Sequence, residues 1–350
     1  MEESVSLVQS VKNVRAVGLL SGGLDSALAA RLLIEQGIEV IGVHLESPTA
    51  CRTEVREVAR ELGIRLEVRP KGEEYLRLLR HPRFGYGRNM NPCIDCRVFM
   101  FHLGRPYLEE YDARFLFTGE VLGQRPMSQT RPSMATIDRE SGLEGWILRP
   151  LSAQVLPETE PERLGWVDRT RLLGIFGRSR REQLALAERY GLRSYQSPGG
   201  GCLLTDPAFA GRLRDLFDHT EEHETSLEDV ELLRLGRHLR ISPALKIVLG
   251  RNADENRRLP RFESRGRWLV EPVDFSGPSA LVCGAAGEET LRQAIDLIVR
   301  YARKTTPEGR VRWRSGDGFR YRTLGEPAGA RPLAPGPADG ALPIISRNAP

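Results

Sequence analysis

No stretch of this 350-residue chain reaches the roughly 18 consecutive apolar residues that a membrane-spanning helix needs. Met1 to Val11 contains Glu2 and Glu3 and no apolar core, so no secretory signal is expected, and the chain is expected in the cytoplasm with no membrane partner. Five cysteines are too few for a disulfide scaffold at this length, and a reducing compartment makes clustered ones candidates for metal or sulfur chemistry. The GxxxxGK[ST] pattern of ordinary nucleotide hydrolases is missing, and no internal repeat is visible. What remains is 40% hydrophobic and 28% charged, the composition of a globular chain with room for two domains.

The most informative segment is Ser21-Gly22-Gly23-Leu24-Asp25-Ser26, which lies between the apolar run Val14 to Leu20 and a helical pattern from Ser26 to Glu35. Two glycines where a strand turns into a helix expose backbone N–H groups that no Cβ shields, and the helix dipole adds positive potential. That arrangement cradles phosphate. Residues 13 to 119 alternate further: strands at Val14 to Leu20, Glu39 to Leu45, Arg65 to Val68 and Arg114 to Thr118, with helices near 26–36, 52–62 and 95–111. This rhythm predicts an α/β domain with a doubly wound parallel sheet and its ligand at the carboxyl ends of the strands.

From 146 to 196 a helical stretch is expected, with Ser179 to Tyr190 amphipathic and Gly191 as its stop. A smaller α+β unit follows, with helices near 208–218 and 226–235, strands near 238–241, 245–249, 267–270 and 279–283, and a helix over 287–303. The domains are therefore expected at 1–205 and 206–305, with a C-terminal extension over 306–350 that is disordered from about 324, where Pro, Ala and Gly dominate.

Asn91-Pro92-Cys93-Ile94-Asp95-Cys96 opens a helix whose terminus favours thiolates, and Cys202 follows Gly199-Gly200-Gly201 a hundred residues later. Three readings are open. His102 completes a zinc site, Cys202 works with Cys93 or Cys96 as a persulfide pair, or the three thiolates hold a 4Fe-4S cluster with one open iron. Cys51 and Cys283 have an ordinary packing explanation. Charge is also uneven: Arg234 to Arg267 holds ten Arg/Lys against three acids, a local +7 within a chain of net +4. That suits a polyanion.

The SGGLDS segment resembles the PP-loop of the ATP pyrophosphatase superfamily, which implies cleavage of ATP to AMP and pyrophosphate. Thr118-Gly119-Glu120-Val121-Leu122-Gly123-Gln124 with Ser128-Gln129-Thr130 resembles the TGExxGQ and SQT segments of tRNA 4-thiouridine synthetases, and Leu148-Arg149-Pro150-Leu151 their RPL segment. NPCxxC is similar to the corresponding site of the tRNA 2-thiouridylases. Together these identify the chain as a member of the PP-loop tRNA thiolases, in an iron-sulfur-dependent three-cysteine branch. Leu249-Gly250-Arg251-Asn252-Ala253-Asp254-Glu255-Asn256 resembles the GRNxxxN segment of the NFACT-type RNA-binding domain.

The resemblance implies ATP and Mg²⁺ at Ser21, Gly22, Gly23, Leu24, Asp25, Ser26, Gly119 and Gln124, with Asp25, Cys93, Cys96 and Cys202 catalytic; from their place just after a strand, Glu120 and Gln124 either position nucleotide or uridine or are ordinary polar residues of a turn. It implies tRNA as partner, held by Arg237, Arg240, Lys246, Arg251, Asn252, Arg257 and Arg258; Arg178, Arg180 and Arg181 either meet tRNA phosphates as well or form a solvated helix start. The sulfur donor is free sulfide or a cysteine desulfurase, and the oligomeric state is open, a homodimer included. The implied product is 4-thiouridine at tRNA position 8. The alternatives are 2-thiolation at the wobble uridine, another sulfurtransferase reaction, or a non-catalytic nucleotide- and RNA-binding protein. Only thirteen residues precede the first strand, so the usual N-terminal RNA-binding region is expected to be absent, as is a rhodanese-like domain.

Overall fold

The computed structural model describes residues 14–50, 54–195, 202–315 and 318–326. The N-terminal segment, Cys51, Gly199 to Gly201 and the tail beyond 326 lie outside the described residues. The chain divides into two units, one running to Phe217 with Glu222–Leu227, the other comprising Asp218–Glu221 and everything from Glu228.

In the first unit β1 (Arg15–Leu19), β2 (Glu39–Glu46), β3 (Arg65–Pro70), β4 (Phe115–Thr118) and β5 (Ile147–Leu148) form one sheet in the order β3-β2-β1-β4-β5, every pair parallel. The helices are α1 (Leu24–Ile34), α2 (Val55–Leu62), α3 (Glu74–Arg80), α4 (Cys93–Gly104), α5 (Pro106–Glu110), α6 (Arg131–Glu140), α7 (Glu160–Arg163), α8 (Arg181–Tyr190) and α9 (Pro207–Asp218). Leu28, Leu33, Val58 and Ala187 from α1, α2 and α8 pack on one face of the sheet, and Phe101 and Ile137 from α4 and α6 on the other. Strands covered on both faces must be apolar throughout, which is why β1 and β4 read as continuous runs. The doubly wound expectation holds. The strand order reverses between β1 and β4, so the crevice that takes a ligand in such sheets opens at the ends of those two strands.

Three expectations change here. The helix expected over 95–111 breaks at Pro106, which lacks the N–H needed to continue α4. Residues 146–180 are mostly irregular, since Pro150, Pro157 and Pro161 interrupt helix hydrogen bonding. The backbone there bonds across loops instead, Leu173 N–H to Pro150 O (3.0 Å) and Gly177 N–H to Leu122 O (2.7 Å). Helix α9 belongs with the first unit rather than the second. Phe209, Leu213 and Leu216 are buried, and the Arg80 guanidinium donates to Phe217 O (3.0 Å) while lying 4.6 Å from its ring centroid.

The second unit contains α10 (Leu227–Leu232), β6 (Arg237–Ser242), β7 (Leu245–Leu249), α11 (Ala253–Arg258), β8 (Arg267–Pro272), β9 (Ala280–Cys283), α12 (Glu288–Tyr301), β10 (Arg310–Ser315) and β11 (Gly318–Thr323). Its strands form an antiparallel sheet in the order β11-β10-β8-β9-β7-β6. Leu291, Ala294 and Ile298 of α12 cover one face, and Leu232, Leu259 and Phe262 cover part of the other. The extension expected from 306 is thus corrected, because β10 and β11 complete this sheet. Their alternating Arg and aromatic residues match a half-buried strand. Among the described residues no helix is long and apolar enough to cross a membrane.

Candidate active site

The Ser21 to Ser26 loop leaves β1 and enters α1, with Gly22 at φ 75°, a left-handed conformation that favours glycine. Gly23 is the N-cap of α1 and no side chain among the described residues caps the helix, which leaves its first N–H groups open to a ligand. The Ser26 hydroxyl donates to Gly23 O (2.8 Å) and lies 3.3 Å from the Ser21 hydroxyl, which accepts from Gly23 N–H (3.3 Å). These bonds hold the loop in its cradle shape. Leu24 is buried in the core, so its contribution to a ligand is its backbone.

The loop after β4 closes on this cradle. A Cβ on Gly119 would sit 2.4 Å from the Asp25 carbonyl and from Ser26 N, so only glycine permits the approach. Gln124 Nε2 donates to Asp25 Oδ2 (2.7 Å), Arg180 reaches the same oxygen at 3.3 Å, and the fully buried Gln183 donates to Gln124 Oε1 (3.1 Å). Asp25 Oδ1 is buried and has no hydrogen-bond partner among the described residues. Asp25 is thus oriented by one oxygen and offers the other.

Glu120 does not reach this crevice. It is buried between Arg97 (3.2 Å) and Arg149 (3.1 Å), and Arg149 in turn makes two bonds to Asp138 (2.9 and 2.6 Å). Burial opposes ionisation of Glu120, but the two guanidiniums outweigh it and hold the carboxyl below its ordinary value. For Asp138 burial wins and its pKa rises despite Arg149. The RPL and TGE segments therefore tie the loop after β4 to the end of β5 and to α4 and α6, and Glu120 is held in this ion-pair network and not at the crevice where it was expected. Ser128 and Gln129 are buried as well, and Thr130 caps α6.

The three cysteines come together at the carboxyl edge of the sheet. Cys93 and Cys96 lie on the first turn of α4. Cys202 is held beside the segment that follows β2, with Leu203 N–H bonded to Thr49 O (3.0 Å) and the Cys202 thiol 3.9 Å from the same oxygen. Cys96 Sγ accepts from Lys71 Nζ (3.2 Å) and faces the Tyr75 hydroxyl (3.9 Å). Lys71 is buried and its ammonium lies 4.3 Å from the Tyr75 ring centroid. The expected bias of the helix-terminus thiols towards thiolate is reversed at Cys93, where burial, then the neighbouring Cys96, raise the pKa. Burial pushes Cys202 up to about 11, and the nearby Cys96 and Cys93 add to it. At Cys93 and Cys202 burial and a thiol neighbour thus act in the same direction, against the thiolate. His102, on the last turn of α4, is exposed.

Arg125 lies within electrostatic reach of both halves of the site. Arg125 is exposed by surface area, yet neighbouring protein atoms and the Arg97 and Arg180 cations lower its pKa, while Cys93 and Asp25 act on it in the opposite sense. A guanidinium crowded by two others invites an anion. Sequence reasoning missed Arg125, Gln183 and Lys71. Lys71 had a faint signal, being one of only four lysines (12, 71, 246 and 304) and placed directly after a strand.

In the second unit the expected RNA-contacting residues divide by environment. Arg257 is 71% and Arg258 38% exposed, each only 3.5 Å from Asp254, and Arg237 is exposed beside the Tyr301 ring. Arg240 is half-buried, and its guanidinium reaches Pro243 O (3.4 Å). Lys246 is buried. Arg251 is held by Glu255 through its backbone N–H (2.8 Å) and guanidinium, Asn252 caps α11, and Asn256 ties Ser279 N–H (3.1 Å) to Gly277 O (3.2 Å). Much of the GRNxxxN segment thus builds the loop.

Residues 12–154 match the family model described as thiamine biosynthesis protein (ThiI), and residues 236–323 match NFACT protein RNA binding domain. A "probable tRNA sulfurtransferase" of Methanothermobacter thermautotrophicus is 25% identical over 240 residues, 65% of this chain and 54% of that protein. Another, of Thermococcus kodakarensis, is 32% identical over 39% of this chain and 36% of that one. The tRNA-specific 2-thiouridylase MnmA of Syntrophotalea carbinolica is 29% identical over 65% of each. This chain thus spans about half the length of the first of these relatives. A solved 4-thiouridine synthetase–RNA complex with bound ATP aligns at 20% identity and TM-score 0.37, over 63% of this chain and 51% of that one. Residues 12–154 are thus similar to the ThiI family, and residues 236–323 to the NFACT-type RNA-binding domain.

Proposed function

We propose that this chain is an ATP-dependent tRNA sulfurtransferase that replaces a uridine carbonyl oxygen with sulfur, forming 4-thiouridine at tRNA position 8. The observation that carries the reading is that the thiols of Cys93, Cys96 and Cys202 gather at the same carboxyl edge of the sheet as the Ser21 to Ser26 cradle, with the Arg125 cation within electrostatic reach of both Asp25 and Cys93. An adenylation site and a sulfur site that share a neighbour suit one two-step reaction.

In the first step ATP phosphates lie on the N–H groups of the Ser21 to Ser26 loop. The buried, unpartnered Asp25 Oδ1 fits Mg²⁺, with Gln124 and Arg180 fixing the carboxylate through its other oxygen. The uridine oxygen attacks the α-phosphorus, and the bond to the β-phosphate oxygen breaks. Pyrophosphate leaves, with Arg125 and Arg180 placed to meet its charge. The base now carries AMP on the oxygen that must depart. In the second step a sulfide nucleophile attacks the activated carbon, the carbon–oxygen bond breaks and AMP leaves.

Cys93, Cys96 and Cys202 fit a 4Fe-4S cluster in donor kind and number, although among the described residues no three His, Cys, Asp or Glu side chains stand ready to grip a single metal ion. When bound, such a cluster supplies an iron with an open position for sulfide. Lys71 places a positive charge against Cys96, which offsets sulfur-borne negative charge beside the buried, mutually hydrogen-bonded Tyr75 and Thr49. A persulfide on one of the three thiols is the cofactor-free version of the same role. The target uridine must be unstacked to reach the sheet edge.

The likeness to a 2-thiouridylase keeps C2 thiolation as the second reading. Anaerobic purification with iron and sulfide analysis, then tRNA thiolation followed by nucleoside mass analysis, separates them. 4-Thiouridine with AMP formed in equal amount is expected. 2-Thiouridine would select the second reading, and no thionucleoside would overturn both. Full activity without iron would remove the cluster.

A further inference from the structure

The β10–β11 ribbon carries a surface that the expected RNA contacts leave unused. Arg312 stands opposite Tyr321 and Arg314 opposite Phe319 in the antiparallel register, so Arg310, Arg312, Arg314, Phe319 and Tyr321 share one face. The other face carries Val311 and Trp313, which pack with α12. The Arg312 and Arg314 guanidiniums lie 4.7 and 5.2 Å from the Phe319 ring centroid. Arg312 is braced by Glu271 (3.3 Å) and Arg310 by Asp274 (2.8 Å), while Arg314 is exposed and has no hydrogen bond or ion pair among the described residues. On this face the apolar cover reaches Leu269 of β8, and no residue of β10 or β11 joins it.

We propose that this face binds unpaired RNA, Phe319 and Tyr321 stacking on bases while Arg312 and Arg314 meet phosphates; this rests on the reading of the second unit as an RNA-binding domain. Rings alone would have been buried against a helix, and arginines alone would be a solvated edge. Alternating them at a two-residue period gives a platform that takes planar bases and polyanionic backbone together. Bases inside a duplex are already stacked and cannot use such a platform, so the surface selects single strands. The exposed Arg257 and Arg258 on α11 present charge without rings, which suits phosphates of any RNA.

The test measures binding of the full chain to a short oligouridylate and to a blunt RNA duplex of equal length by fluorescence anisotropy. Phe319→Ala with Tyr321→Ala is expected to weaken the single strand about tenfold or more, since base–ring stacking contributes roughly 1–3 kcal/mol per base, and to leave the duplex nearly unchanged. Tyr321→Phe should bind like the parent. Arg314→Gln, at an exposed site that does not threaten folding, should lower the salt slope for the single strand by about one. Unchanged single-strand affinity in both the double variant and Arg314→Gln overturns the proposal, as does equal loss on the duplex. Polyglutamate competing as well as RNA also overturns it, pointing to an acidic protein segment. If the parent chain binds neither RNA, the RNA-binding reading itself fails.

Discussion

Replacing Gly119 by alanine puts a methyl carbon 2.4 Å from the Asp25 carbonyl and from Ser26 N. A carbon contact relaxes at about 3.5–4.0 Å, so the two segments must part by roughly 1.1–1.6 Å. Neither neighbour is a side chain that can swing away, because both belong to the backbone of the first turn of α1. Overpacking of this kind costs about 1–3 kcal/mol, and at about 2–4 °C per kcal/mol for a unit of this size the melting temperature should fall by roughly 2–12 °C. The larger effect is on chemistry. Separation of the loops pulls Gln124 from Asp25, now 2.7 Å away, and a displacement of about 1 Å costs on the order of 100-fold in rate. The assay is tRNA-dependent AMP release at saturating ATP, with the ATP-induced rise in melting temperature as a readout of the cradle alone. A Gly119→Ala protein that remains folded and works within about threefold of the parent would refute the claim that this approach sets the geometry of the site.

Arg149→Met leaves Glu120 and Asp138 buried without their main partner, and urea unfolding should show a loss of about 3–5 kcal/mol; a change below about 1 kcal/mol would mean that the network is not structural. Glu120 is held below its ordinary value, 4.5, so the stability it contributes is complete above that pH and is lost as the pH falls through the lower folded-state value. Glu120→Gln should therefore be less stable at neutral pH and show a flatter acid limb in thermal melts, and an unchanged limb would count against the pairing. Arg257→Glu with Arg258→Glu should weaken tRNA binding and reduce the log–log salt slope by about two, whereas Arg251→Ala should mainly lower the stability of the second unit. Equal salt slopes for all three proteins would remove α11 from the RNA surface.

The sequence alone determined the elements whose signals are local. Glycines at the end of a strand, a CxxC at a helix start and two-residue or helical periodicity all act within a few residues, and β1, α1, β4 and α12 lie close to where the pattern placed them. It also marked the candidate chemistry, because a glycine-rich loop and a CxxC are residue types in short spacings. Tertiary structure decided which motif residues face the crevice. Glu120 and Arg149 look like reacting groups in a motif, yet burial against each other makes them a brace, while Arg125 and Lys71 carry no motif and are brought to Asp25, Cys93 and Cys96 by loops distant in sequence. The thiols show the same limit, since a helix terminus predicts easy ionisation and burial at Cys93 reverses it. The strands β10 and β11 were hidden because their arginines resemble a solvated tail until the rest of the sheet gives Val311 and Trp313 something to pack on. Proximity across the fold sets burial and charge coupling, and local spacing does not encode either one.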